Sequence, residues 1–191
     1  MLNLVLFGKP GSGKGTQANF LKDRYSLVHI STGDVFRKNI KNQTELGLKA
    51  EAYTQNGELV PDDVTVLMLE NEIKQNLPCK GFIFDGFPRT LYQADEMNKI
   101  LFKYKMKLSA IVALDVDDDL LTDRLLKRGL IYGRSDDQSR EKILTRLNEY
   151  RNKTEPLIEY YSKINRFHSV SGVGEIHEIS LRLLDLIESV K

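Results

Sequence analysis

A chain of 191 residues with a formal net charge of +1, 41% hydrophobic and 29% charged residues has the balance of an ordinary globular domain with a sizeable core. That near-neutral charge weighs against a general nucleic-acid binder or a membrane-surface protein, both of which carry a basic excess. No apolar run reaches about 18 residues, so no transmembrane helix is expected, and the single cysteine, Cys79, can form neither an internal disulfide nor a cysteine-rich zinc site, which fits a reducing, cytoplasmic setting.

The first residues are apolar but lack a basic leader and a small-residue cleavage site, so they do not read as a signal peptide. Leu2–Phe7 reads as a strand, followed by glycine-rich residues and a helix over 14–24. Further short strands are predicted at 27–30, at 82–84 ending on Asp85, at 110–114 ending on Asp115, and, more weakly, at 166–170. Pro61-Asp62-Asp63 ahead of Val64, Leu67, Met68 and Asn71 predicts a capped helix start with an apolar face. Asp117, Asp118 and Asp119 open another helix, because acids are favoured at its positive end. A longer helical pattern covers 140–150 and continues past Thr154, and 176–190 closes the chain as an amphipathic helix. Residues 31–63 carry helical pattern and no convincing strand, which predicts an α-helical insertion after the second strand. Short apolar runs alternating with helices indicate a parallel α/β sheet. In open sheets of this kind, ligands bind at the C-terminal ends of the strands.

The most informative stretch is Gly8-Lys9-Pro10-Gly11-Ser12-Gly13-Lys14-Gly15-Thr16, set between a predicted strand and a predicted helix, as a phosphate loop requires. Glycines let the backbone wrap an anion, and successive N–H groups at the helix N-terminus supply donors and partial positive charge. Lys14 adds a full charge toward the β- and γ-phosphates. Gly15 stands where the strict pattern has Ser or Thr, and Thr16 follows one place later, so direct ligation of a metal by Thr16 is not implied. The loop alone indicates a nucleoside triphosphate and names no acceptor.

From here the chain resembles the adenylate kinases along almost its whole length. The loop ends in Gly-Lys-Gly-Thr-Gln at 13–17. Ser31-Thr32-Gly33-Asp34-Val35-Phe36-Arg37 resembles the opening of that family's monophosphate-binding insertion, and Gly57-Glu58-Leu59-Val60-Pro61 its close. Asp85-Gly86-Phe87-Pro88-Arg89-Thr90-Leu91-Tyr92-Gln93 matches a second signature, and Gly133-Arg134-Ser135-Asp136-Asp137 and Arg146-Leu147-Asn148-Glu149-Tyr150 match arginine-bearing elements near the lid. The resemblance implies a three-layer phosphate-loop α/β fold with a five-stranded parallel sheet. The core would comprise 1–30, 61–128 and 139–191, with an insertion at 31–60 that binds the nucleoside monophosphate and a short lid at 129–138. It also implies reversible phosphoryl transfer from Mg2+-ATP to AMP giving two ADP, in a monomer. With no cysteine cluster in the short lid, structural zinc is not expected.

Transferring a phosphoryl group between two nucleotides brings polyanions together and must exclude water. Arginine suits the task, since its fork makes bidentate, always-charged contacts with phosphate. By resemblance, Arg37 and Arg89 hold the AMP phosphate, Arg128, Arg134 and Arg146 bridge the transferring group, and Arg124 lies against the ATP adenine, near the backbone at Gly172–Gly174. On the ATP side the contacts implied are Gly11, Ser12, Gly13, Lys14, Gly15, Thr16, Arg124, Arg128 and Gly174. On the AMP side they are Thr32, Arg37, Glu58, Leu59, Val60, Gly86, Phe87, Pro88, Arg89, Gln93, Arg134 and Arg146. Asp85, at a strand end, is placed to hold magnesium or its waters, with a turn carboxylate as the plainer alternative. No general base is needed, because the acceptor is already an ionised phosphate.

The nearest rivals are the uridylate/cytidylate kinases and the guanylate kinases; the first share the loop and Gly-Phe-Pro-Arg but typically carry alanine and asparagine where Thr32 and Gln93 stand. These two residues therefore favour adenine: the Gln93 amide can accept from the amino group and donate to a ring nitrogen. Taken alone, Thr32 could instead cap the helix that follows and Gln93 could be a solvated helix residue. A nucleotide-dependent regulatory ATPase on the same core is a more distant alternative, disfavoured by an arginine set that serves an acceptor. His29, His168 and His177 lack metal-ligand spacing, and Phe102 and Tyr104 are expected to pack while the lysines around them solvate. None of these features points to nucleic acid.

Overall fold

The computed structural model describes residues 1–190. Five strands, β1 (Leu2–Phe7), β2 (Val28–Ser31), β3 (Gly81–Asp85), β4 (Ala110–Asp115) and β5 (Phe167–Ser171), form one sheet in the order β2-β3-β1-β4-β5. Every pairing is parallel. The helices are α1 (Lys14–Tyr25), α2 (Thr32–Lys41), α3 (Glu45–Asn56), α4 (Asp62–Asn76), α5 (Leu91–Lys103), α6 (Asp118–Tyr132), α7 (Arg140–Glu149), α8 (Pro156–Ser162) and α9 (Ile176–Val190). The strands lie within one or two residues of the expected bounds, and between the end of β2 at Ser31 and the start of α4 at Asp62 the chain forms two helices and no strand. Among the described residues no helix is long and apolar enough to cross a membrane.

Strand alternation divides the core into two layers. Val5 and Phe7 of β1 face one side with Phe82 and Phe84, and are covered by Leu69 and Ile73 of α4, Met97 and Leu101 of α5, and Leu157 and Tyr161 of α8. Leu4 and Leu6 face the other side with Ile83, Val112 and Leu114, under Ala18 and Leu21 of α1 and Leu183 and Ile187 of α9. Two satellite cores lie beyond the sheet. Phe36, Ala50, Val60 and Met68 hold α2 and α3 against α4. Val116, Leu121, Leu125, Ile143 and Leu147 join α6 to α7. Each outer piece thus packs internally on its own small apolar cluster.

The helical pattern expected to pass Thr154 does so through one wide π turn at Tyr150–Thr154, which joins α7 to α8. One packing expectation fails: Tyr104 joins the core, but Phe102 is 85% exposed on the outer face of α5.

Candidate active site

The C-terminal ends of β1, β2 and β3 open into a cleft of about 1200 Å³, roofed by α2, α3 and the residues between α6 and α7. At its floor the loop after β1 turns on glycines. Gly8 sits at φ 139°, and a side chain there would meet the Leu114 carbonyl at 2.8 Å, so only glycine fits. Gly13 precedes α1 at φ 97° and offers no capping side chain, and the first turn carries no acid. The opening N–H groups of α1 thus face the cleft without a side-chain partner, the arrangement that binds phosphate. Gln17, 2% exposed, anchors this helix by donating to the Ile176 carbonyl at 3.0 Å and accepting from the Ser180 hydroxyl at 2.8 Å.

Lys14 folds back over the loop and donates to the carbonyls of Gly8 at 2.6 Å and Lys9 at 3.0 Å. Burial pushes its ammonium down to about 8. The Arg89, Arg128 and Arg146 charges add to this effect, while Asp85 opposes it. The Asp85 carboxyl is held below its ordinary value: burial would raise it, but the neighbouring His29 imidazole, Lys14 and Arg89 outweigh that. His29 Nε2 stands 3.5 Å from Asp85 Oδ2. Sequence reasoning found no metal-ligand spacing around this histidine and gave it no partner, since that partner lies on another strand.

Gly11, Gly13, Lys14, Gly15, Thr16, Arg124 and Arg128 line one half of the cleft. Two expected members of that half do not. Ser12 is 1% exposed, with its N–H spent on the Lys9 carbonyl at 3.1 Å, so it shapes the loop from beneath. Gly174 lies outside the lining and packs toward Glu178 and Arg182. Gly172, two residues earlier, is the one beside the loop, where a side-chain carbon would sit 3.4 Å from the Ser12 carbonyl.

The other half is lined by Thr32, Arg37, Glu58, Leu59, Val60, Gly86, Phe87, Pro88, Arg89 and Gln93. Thr32 does not cap α2. Ser31 does, accepting from the Asp34 N–H, while the Thr32 hydroxyl donates to the Gly86 carbonyl at 3.0 Å. Gln93 is 1% exposed and is not a solvated helix residue. Arg89 is pinned by Nε donating to the Gly86 carbonyl at 2.7 Å, by its N–H on Gln93 Oε1 at 2.7 Å, and by its carbonyl accepting from the Thr154 hydroxyl at 3.0 Å. Gly86 has φ 79°, and a side chain there would stand 2.7 Å from both Arg89 Nη2 and Thr32 Oγ1. Arg37 pairs with Asp34 at 2.5 Å.

Arg128, Arg134 and Arg146 converge on two acids. Arg128 grips Asp137 through Nε at 2.6 Å and Nη2 at 3.1 Å. Arg134 grips Asp136 through Nη2 at 2.8 Å and Nε at 3.2 Å. Arg146 reaches Asp136 at 2.8 Å and also pairs with Asp137, which is fully buried. Burial pushes the Arg146 guanidinium down to about 10 against the pull of both acids. Asp136 is held well below the carboxylate range, since Arg134, Arg146 and Arg37 outweigh its burial. These acids stood inside a matched motif, yet sequence alone assigned them no role. An Asp-Asp pair after Gly-Arg-Ser carries no signal of which arginines will fold back onto it.

Among the described residues no group of three or more His, Cys, Asp or Glu side chains could hold a metal on its own. A cation here must draw most of its ligands from elsewhere, and Asp85, an oxygen donor beside Lys14 at the cleft floor, suits a hard ion that takes the rest from phosphate and water.

The sequence model of the family described as "Adenylate kinase" matches residues 6–166. The adenylate kinase of Flavobacterium psychrophilum is 53% identical over 190 residues, and that of Flavobacterium johnsoniae 52%, each match covering the whole of both chains. The adenylate kinase of Porphyromonas gingivalis is 46% identical over 191 residues, covering all of this chain and 98% of that protein. The uridylate/cytidylate alternative is not favoured. A phosphate loop and an arginine-lined cleft on a five-stranded parallel sheet thus coincide with likeness from end to end, and the chain belongs to the adenylate kinase family.

Proposed function

We propose that this phosphotransferase seats ATP and AMP end to end in the single cleft and moves the γ-phosphoryl group between them, giving two ADP in a reversible reaction. The observation that carries the reading is the continuity of that cleft. It runs from the open N–H groups of α1 to the buried pocket around Thr32 and Gln93, with five arginines, Arg37, Arg89, Arg128, Arg134 and Arg146, between the two ends. One nucleotide does not need both ends.

In this reading the loop amides and Lys14 hold the ATP phosphates, and the flat Arg124 guanidinium lies against the ATP adenine. Arg37 and Arg89 fix the AMP phosphate as the attacking group. Arg128, Arg134 and Arg146 spread positive charge over the transferring group, and their carboxylate partners hold them preorganised for it. The insertion at 31–60 and the lid at 129–138 close over the nucleotides, so water neither screens the charges nor intercepts the phosphoryl group. The AMP phosphate is ionised and needs no base. Magnesium would be held by the nucleotide phosphates and by water, with Asp85 nearby, and would neutralise charge on the polyphosphate. The reading extends to a cytoplasmic monomer that acts on nucleotides and on neither nucleic acid nor membrane.

A coupled assay of ADP formation is the test, run with ATP plus AMP, ATP alone, and ATP plus UMP or CMP. Strong turnover only with AMP is expected. Preference for a pyrimidine monophosphate, or equal turnover without an acceptor, would reject the proposal.

A further inference from the structure

Between α4 and α5 lies a short polar chain, with Gln93 buried and Asp62 and Thr90 partly buried, that extends beyond the residues given a role in the reaction. Gln93 Nε2 donates to Asp62 Oδ1 at 2.7 Å, while Gln93 Oε1 accepts from the Arg89 N–H at 2.7 Å. The second carboxylate oxygen of Asp62 accepts from the Thr90 hydroxyl at 2.9 Å. Asp62 is the first residue of α4, immediately beyond the insertion, whereas Thr90 and Gln93 belong to the start of α5.

The two partners of the Gln93 amide determine which way round it sits. A backbone N–H can only donate, and a carboxylate can only accept. Turning the amide over would set its oxygen against Asp62 and its NH2 against the Arg89 N–H, two repulsive contacts in a site that is 1% exposed. The amide therefore keeps one free N–H and one free lone pair in a set order.

That order matters to a base. Adenine offers a ring nitrogen that accepts and an amino group that donates. Guanine and hypoxanthine offer the reverse, a ring N–H and a carbonyl oxygen. An amide free to turn over could serve both patterns. We infer that Asp62 is a specificity-determining positioning residue: by locking the Gln93 amide it restricts the acceptor pocket to bases with the adenine pattern. This rests on Gln93 reading the AMP base. Asp62 touches no substrate and acts only through Gln93.

Asp62→Asn tests the inference, because the new side chain can pair with Gln93 in either orientation and leaves only the Arg89 N–H to oppose the turned-over amide. Michaelis constants and turnover would be measured with AMP, GMP and IMP at saturating ATP, together with the melting temperature and the KM for ATP. The expected result is a KM for AMP raised more than kcat is lowered, and an AMP-over-IMP ratio of kcat/KM reduced about tenfold, of the order of one lost discriminating hydrogen bond. The KM for ATP should not move. Asp62→Ser, which keeps a residue well suited to a helix start, gives a second reading should the asparagine variant fold poorly.

Gln93→Leu separates the two ways to fail. If it raises the KM for AMP while both Asp62 variants keep the wild-type base ratio, the locking role is overturned and base reading by Gln93 stands. If Gln93→Leu leaves the KM for AMP unchanged, base reading itself is wrong and the inference falls with it.

Discussion

Gly57 closes α3 against the side of Arg146: a carbon added to Gly57 would lie 2.9 Å from Arg146 Cγ and 3.0 Å from the Lys142 carbonyl. The end of the insertion therefore meets the arginine-bearing helix α7 with no room for a side chain. Gly57 also holds φ 77°, the left-handed turn that ends α3. Two consequences can be separated by substitution. Gly57→Asn, tolerated in the left-handed region, retains the turn and tests the steric contact. Gly57→Ala adds a backbone cost of about 1–2 kcal/mol. Both variants should lower kcat/KM for AMP by about tenfold or more, since the added side chain must displace Arg146. Small-angle scattering with a bisubstrate inhibitor should show incomplete compaction. Wild-type kinetics in both variants would mean that this contact does not form during turnover.

Asp137 is buried and holds Arg128 and Arg146 together while Arg134 stands 3.4 Å away. Removing it leaves Arg128 without its carboxylate partner and Asp136 alone between Arg134 and Arg146. Breaking one side of a buried ion pair costs about 3–5 kcal/mol, and partial exposure of Arg128 puts the expected loss at the low end. Asp137→Ala should therefore lower the melting temperature markedly, and saturating bisubstrate ligand should restore much of the loss by placing phosphate among the arginines. A melting temperature unchanged in the absence of nucleotide would contradict this account of Asp137 and its arginines.

Much of the fold and half of the site were legible in the chain. The strands showed as short apolar runs ending in Asp85 and Asp115, and the phosphate loop as glycine spacing around Lys14, because both depend on local backbone geometry. Arg89 stood out as a candidate for the same reason, since Gly-Phe-Pro-Arg directly follows a strand end. What stayed hidden depends on pairs far apart in sequence. Thr154 reaches the Arg89 carbonyl from 65 residues away, and Asp62 reaches Gln93 from 31. Ser12 and Gly174, both expected at the site, lie outside the lining of the cleft. A loop that wraps an anion must turn some residues inward, and periodicity does not say which.

The Thr154 contact can be tested against its partner. Arg89→Ala should lower turnover by orders of magnitude with the fold retained, because in the proposed function it removes the guanidinium that holds the AMP phosphate. Thr154→Val removes only the 3.0 Å hydrogen bond to the Arg89 carbonyl and should cost about 0.5–1.5 kcal/mol of stability. It should also bring a several-fold loss in kcat from a less firmly held Arg89. The double variant should then be no slower than Arg89→Ala alone, since the hydroxyl would act through the arginine. Losses that multiply would show that Thr154 acts independently.

The pH dependence follows from Lys14, whose ammonium in the nucleotide-free cleft is pushed down to about 8. Below that value it is charged and ready for the ATP phosphates; above it, binding must first return a proton. Since kcat/KM reports the free enzyme, its value for ATP should fall as pH rises through about 8, while kcat at saturating ATP should hold to higher pH because bound phosphates retain the proton. ATP binding at pH 9 should accordingly take up a proton, measurable by calorimetry in buffers of different ionisation enthalpy. Lys14→Arg keeps a charge at all these pH values and should flatten the alkaline limb even though its overall activity is lower. A kcat/KM for ATP that stays level in the wild type to pH 9.5, with no proton uptake on binding, would show that the cleft does not depress this lysine.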